Sequence, residues 1–176
     1  AVLSGHDILY IAHVSTNRRI RLGASVGTRF PAYATSLGKV LLAFQDDPAI
    51  DDYLASAELA RFTEHTITSK AELRKRLRQA RINGYDSAQD ELDYGIVSVA
   101  VPVFDKDRQV AAAINCSTST TRISRHQLVP TRPSLLRTDQ PAFVVIAQRG
   151  RGQSQPGRGL ADRNQVHCPS FDFKPT

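Results

Sequence analysis

The sequence predicts an α/β fold of the α+β type, an antiparallel sheet flanked by helices, and three observations predict it. Gly84 to Ser117 reads as a helix exit, an acidic loop and two strands joined by a tight polar turn. Ser69 to Gly84 carries a start signal and a stop signal at a distance suited to one helix. Nearer the start, two β-rich runs flank Asn17 as the arms of a hairpin would.

Taken in order, His6 to Ser15 is the first strand and Arg19 to Ala24 the second, with Asn17 at the turn. Gly27 and Pro31 then break regular structure. Thr35 or Ser36 caps a helix running to about Phe44, whose apolar stripe of Leu37, Val40, Leu41 and Phe44 lies over the sheet. Asp47 before Pro48 starts a second helix to about Ala57, because a carboxylate accepts from free amides and proline suits the first turn. Ser69 and Glu72 form a capping-box pattern for the third helix, and Gly84 tolerates the left-handed residue that ends it. A strand follows from near Tyr85.

The two diagnostic strands have unequal faces. Val97, Val99, Val101 and Val103 share one side of the first strand, and a period of two makes that side core. On the second, Val110, Ala112, Ile114 and Cys116 form an apolar set in which Cys116 is expected as a small buried hydrophobe. The opposite set of Ala111, Ala113, Asn115 and Ser117 is small and turns polar toward one end, leaving room for a small molecule. Ser124 and Gln127 mark a last helix from near Arg125, which Pro130 and Pro133 interrupt.

Residues 1–138 thus form one domain, and residues 139–176 an irregular basic tail rich in Gly, Pro, Arg and Gln, without a sustained period. Periodicity stops abruptly there, which reads as non-native sequence from a reading-frame change or an artificial junction. An opening alanine that leads straight into a strand, with no methionine anywhere, reads as a piece of a longer chain.

Composition narrows the classes of function. A length of 176 residues with 41% hydrophobic residues supports one core. Two cysteines, Cys116 and Cys168, are too few for a disulfide framework, and neither an apolar run of membrane-spanning length nor a secretory leader is visible, so a cytoplasmic protein is expected. The net charge of +6 is diffuse. Only Lys70 to Arg81 is densely basic, and its Leu73, Leu77 and Ala80 stripe makes it a solvated helix face. A nucleic-acid-binding module using that helix and the Arg/Gly tail stays open as an alternative.

Individual motifs are weaker. Ser36 to Lys39 spells S-x-x-K, a serine one helical turn from a lysine, but no S-D-N or K-T-G follows and a cap explains Ser36 more simply, so a serine hydrolase ranks behind the nucleic-acid-binding alternative. The five histidines show no ligand spacing, so no metal and no catalytic residue is expected. Asp90, Glu91 and Asp93 share one short loop and read as solvated or capping groups. Arg19 and Arg21 point to one strand face, where a guanidinium fork grips a carboxylate, or else stand at an exposed strand edge.

Gly84, Glu91, Ser98, Val99, Ala100, Val103, Phe104 and Asp105, in register, together with Arg18 to Phe44 carrying Gly38 and Lys39, resemble the effector-binding domain of the IclR family of bacterial transcription regulators. The likeness covers roughly Val2 to Arg137 and is greatest to the branch responding to protocatechuate, 4-hydroxybenzoate or β-ketoadipate. It implies a GAF-like domain without a cofactor that senses a small organic acid, aromatic or dicarboxylic, and self-associates as a homodimer or tetramer. Operator DNA would be read through an N-terminal winged helix-turn-helix absent from this chain. By position it places Leu22, Phe30, Ser36, Leu37, Ile96, Ser98, Asn115 and Ser117 around the effector, with Arg19 and Arg21 as the candidates for meeting its charge. One departure stands out: many relatives carry an acidic or hydroxyl residue where this chain has Ala88.

Overall fold

A computed structural model describes residues 1–14, 23–122 and 125–129, all within the compact unit Ala1–Arg137. Arg19, Arg21 and Leu22, the interrupting Pro130 and Pro133, and the tail from 139 lie outside the described residues.

Three short strands open the chain: β1 (Val2–Ser4), β2 (Asp7–Leu9) and β3 (Arg29–Pro31). β1 pairs antiparallel with β2, and β2 with β3. A hairpin turns at Gly5 and His6, within the run expected as the first strand, and the strand expected over His6 to Ser15 ends at Leu9, while Asn17, the expected turn, lies outside the described residues. Backbone pairing reaches one residue further, with Tyr10 donating to the Thr28 carbonyl at 3.0 Å and accepting from the Gly27 N–H at 2.8 Å. Pro31 closes β3 instead of breaking structure, a position where a missing N–H is tolerated.

The second sheet holds β4 (Asp86–Gln89), β5 (Ile96–Phe104) and β6 (Val110–Ser119), antiparallel and in that order. The Ala1 nitrogen donates to the Ala113 carbonyl at 2.8 Å and the Ala113 N–H to the Ala1 carbonyl at 2.9 Å. That exchange joins the outer edge of β1 to the outer edge of β6.

The helices follow their signals closely. In α1 (Ser36–Ala43) the N-cap is Thr35, whose hydroxyl accepts from the Gly38 N–H. α2 (Asp47–Ser56) is capped by Asp46, one residue earlier than expected, with Asp47 and Pro48 in its first turn. α3 (Lys70–Asn83) starts on Ser69 and ends on Gly84 at φ 73°, the left-handed conformation glycine adopts without cost. α4 is a single turn (Arg125–Leu128).

Both faces of β5 are covered. Val97, Val99 and Val101 are fully buried, yet Val97 and Val99 pack with Tyr85 and Leu128 in a small cluster apart from the principal core. The principal core lies on the opposite, small-residue side, where Ala100 and Ala113 meet α1 and the stripes of α2 and α3. Short side chains there let a helix approach the sheet closely. Every residue of α1 is buried, so it has no solvent face of the kind its stripe implied. Gly38 takes part in the same closeness, since a Cβ on it would stand 2.1 Å from the Ala32 carbonyl oxygen of the preceding 3-10 turn (Ala32–Ala34). Cys116 corrects a second expectation: it is exposed, and the buried cluster of Val97, Val99 and Leu128 does not include it.

Candidate functional site

The strand register builds a floor. Ala88 on β4, Ser98 on β5 and Ser117 on β6 lie opposite one another in one cross-strand row, with Ala100 and Asn115 paired in the next. α1 begins directly above this row. The Ser36 and Ser98 hydroxyls are 2.8 Å apart, both buried, so helix and sheet are pinned by one hydrogen bond. Asn115 Nδ2 donates to Ser117 Oγ at 2.7 Å, and Tyr10 shares a hydrogen bond with Asn115. Burial raises the Tyr10 phenol above its ordinary range, and that hydrogen bond partly offsets the effect.

These groups line a cavity of about 80 Å³. Phe30, Ser36, Ile96, Ser98, Asn115 and Ser117, all named from sequence, stand around it. Leu37 does not: it is 1% exposed and packed into the principal core, because the α1 face carrying Ser36 meets the cavity while the next position turns inward. Gly23, Ala24 and Ala34 close the remaining apolar wall, and Ala88 lines it where a polar side chain would complete the serine row.

The acidic loop contributes more than its sequence implied. Asp90 does cap the turn, its carboxylate accepting from the Gly95 N–H at 2.6 Å, and Asp93 is exposed. Glu91 instead points inward and grips Lys39 Nζ with both carboxylate oxygens, at 2.6 and 2.7 Å. Lys39 has no exposed side-chain surface, and Asp86 Oδ2 lies 3.7 Å from its ammonium. Asp86 pairs in turn with Arg76 of α3 at 2.5 Å. Burial pushes the Glu91 carboxyl above its ordinary 4.5, while Lys39 pulls it back. Thr63 and Thr66 hold the loop by donating to the Asp90 and Glu91 carbonyls. The signal for this cluster was present, for a lysine between Gly38 and Val40 in an otherwise apolar helix needs a carboxylate wherever that helix is buried.

The same geometry separates the S-x-x-K pair. Ser36 bonds to Ser98 and Lys39 to Glu91, so the lysine is not disposed to activate the serine. The basic helix α3 is likewise engaged: Arg74 reaches Asp51, Arg76 Asp86, Arg81 the Ala43 carbonyl and Lys70 the Ala55 carbonyl. Among the described residues no helix is long and apolar enough to cross a membrane.

Comparison with known proteins places this architecture. The chain is 43% identical over 129 residues to the Pca regulon regulatory protein of Pseudomonas putida, covering 73% of this chain and 44% of that protein. The inducer-binding domain of PobR from Acinetobacter, a double mutant solved with 3-hydroxybenzoic acid, superposes with a TM-score of 0.72 at 30% identity, covering 84% of this chain and 82% of that one. The IclR protein of Thermotoga maritima superposes with a TM-score of 0.73 at 26% identity, over 84% of this chain and 58% of that one. The fold is the GAF-like α/β one these domains share. This chain spans about half the length of the curated relatives it matches, which are named as transcription regulators and not as enzymes. The family described as bacterial transcriptional regulator IclR C-terminal matches residues 1–140, and the chain belongs to that family.

Proposed function

We propose that this chain is the effector-sensing part of a bacterial transcription regulator, taking a small organic acid into the cavity beneath α1. The observation that carries the reading is the convergence of a buried polar pair, Ser36 with Ser98, and a half-buried one, Asn115 with Ser117, on a cavity otherwise walled by Phe30, Ile96 and small apolar residues. Apolar walls with a few fixed polar groups are what a small-ligand site requires. The acid character follows from α1, whose amino-terminal end at Thr35 and Ser36 opens on the cavity and presents the positive end of its dipole. The 3-hydroxybenzoic acid in the PobR domain supports an aromatic acid as the ligand class.

At about 80 Å³ the cavity is well below the roughly 300 Å³ at which small-molecule pockets ordinarily begin. Binding a ring therefore moves a wall, and the segment from Gly27 to Gly38, which carries Phe30 and the start of α1, is the one that links the cavity to the first sheet. A ligand that binds the opened and closed arrangements unequally shifts the balance between them, which is how occupancy reaches the rest of a regulator. Self-association as a homodimer or tetramer, a cytoplasmic location and operator recognition by an N-terminal domain complete the proposal. Titrating the chain with 4-hydroxybenzoate, protocatechuate and β-ketoadipate by calorimetry and thermal shift tests it. A ligand of the folded state raises the melting temperature. Silence with all small acids overturns the reading.

A further inference from the structure

A second and larger cavity, of about 290 Å³, lies against the segment that walls the first. Pro31 and Tyr33 line it, whereas their neighbours Phe30 and Ala34 line the cavity beneath α1, and among the described residues none lines both. Its other walls come from His6 and Asp7 at the turn into β2, Tyr53 of α2, and Glu58 and Phe62 in the connection after α2. Aromatic rings dominate. Tyr33 and Phe62 stack with centroids 6.2 Å apart, and His6 and Tyr53 meet edge to face at 5.4 Å.

The hydrogens on these polar side chains are already committed. Tyr33 donates to the Ala60 carbonyl at 2.8 Å and Tyr53 to the His6 carbonyl at 3.3 Å. Ser56 Oγ donates to the Asp52 carbonyl at 2.7 Å, so its 2.8 Å contact with His6 Nε2 is a donation by the imidazole, and a neutral ring keeps a lone pair on Nδ1. What the side chains offer a ligand is therefore acceptors only: phenolic oxygens, an imidazole lone pair and two carboxylates. The charges do not cancel. Arg29 pairs with Asp7 at 3.3 Å, whereas among the described residues no cation pairs with Glu58. Burial raises the Tyr33 phenol above its ordinary range, the Ala60 hydrogen bond opposes that, and the Glu58 charge adds to it, so the carboxylate acts on a group of the cavity wall.

Aromatic rings attract cations, carboxylates accept from an ammonium, and a wall of acceptors repels an anion. We propose that this cavity is a second ligand site, for a small primary ammonium ion, with Glu58 meeting its charge and Tyr33 and Phe62 its carbon frame. It is independent of the acid cavity beneath α1 and of the reading given to that cavity.

Calorimetry on the whole chain at pH 7.5 with 2-phenylethylamine, protonated there as a lysine is, against 2-phenylethanol tests this. The two differ only in exchanging an ammonium for a hydroxyl. The ammonium is expected to bind at least about tenfold tighter than the alcohol. Glu58→Gln should weaken the ammonium severalfold and leave the alcohol as it was, whereas Phe62→Leu should weaken both. Glu58 and Phe62 are exposed, so neither replacement removes a core group. The proposal is overturned by an alcohol that binds as well as the ammonium, or by an ammonium affinity that either variant leaves unchanged. Silence with 2-phenylethylamine overturns it too, and leaves the titration with small acids to decide the first cavity by itself.

Discussion

Glu91 holds Lys39 through both carboxylate oxygens at a point where the lysine side chain has no exposed surface. Continuing through Asp86 to Arg76, the contact links the loop after β4 to α1 and then to α3 in an alternating chain of two cations and two anions. Buried charges tolerate such a place only in company, so the four groups behave as one unit.

Replacing Lys39 by Met should therefore cost about 3 to 5 kcal/mol of stability, the range for breaking a buried pair from one side. The double variant Lys39→Met, Glu91→Leu should recover part of that loss, because no charge is then stranded at the wall. Urea unfolding of Lys39→Met, Glu91→Leu and the double variant checks both statements. A double variant that is the sum of its singles would show that Glu91 and Lys39 do not act together.

The raised carboxyl of Glu91 predicts a pH dependence whose sign follows from linkage. Burial keeps its proton on in the folded chain at pH values where the unfolded chain has lost it, despite the opposing pull of Lys39. Just above the ordinary value of 4.5 the folded form binds more protons, so this group's contribution is fully present below 4.5 and is lost as pH rises through the folded value. The stability difference between the unaltered chain and Glu91→Gln, followed by urea unfolding from pH 4 to 7, should move against the unaltered chain as pH rises. Movement the other way would mean that Lys39 outweighs burial.

Helix boundaries were legible because their signals are local: Ser69 and Gly84 bracket α3 through groups within one turn of each end. The first sheet was not, since Val2 to Ser4 and Arg29 to Pro31 are three-residue strands specified by pairing with Asp7 to Leu9 and not by their own composition. Period-two reading found the small face of β5 and β6 but took its emptiness for ligand space, whereas α1 fills most of it. Residues such as Glu91 escaped because a loop carboxylate in sequence carries no mark of the buried lysine 52 positions away that turns it inward.

Gly38→Ala tests how closely that helix must approach. In an ordinary helix interior the change gains up to about 1 kcal/mol, since glycine is the poorer helix former. Here the new Cβ would meet the Ala32 carbonyl oxygen at 2.1 Å, a backbone atom that cannot rotate away. A loss of about 3 kcal/mol is expected, at the upper end of overpacking costs, with α1 lifted off the cavity floor. Gly84→Ala, strained in φ but open in space, should lose only about 1 kcal/mol. Thermal unfolding of the pair separates a steric demand from a conformational one.

Ser98→Ala addresses the floor itself. The hydroxyl joins Ser36 to the sheet, and its removal should cost about 1 kcal/mol, the net worth of one hydrogen bond whose surviving partner can turn to another acceptor. The larger effect should fall on ligand binding, because Ser98 occupies the middle of the row between Ala88 and Ser117 and Ala88 offers no substitute hydroxyl. A roughly tenfold weakening toward 4-hydroxybenzoate is expected, equivalent to about 1.4 kcal/mol. Cys116→Ser provides the contrast, since Cys116 lies on the same strand as Ser117 but on the opposite face and is exposed. Calorimetry should show its affinity unchanged; equal losses in the two variants would place the ligand somewhere other than the cavity beneath α1.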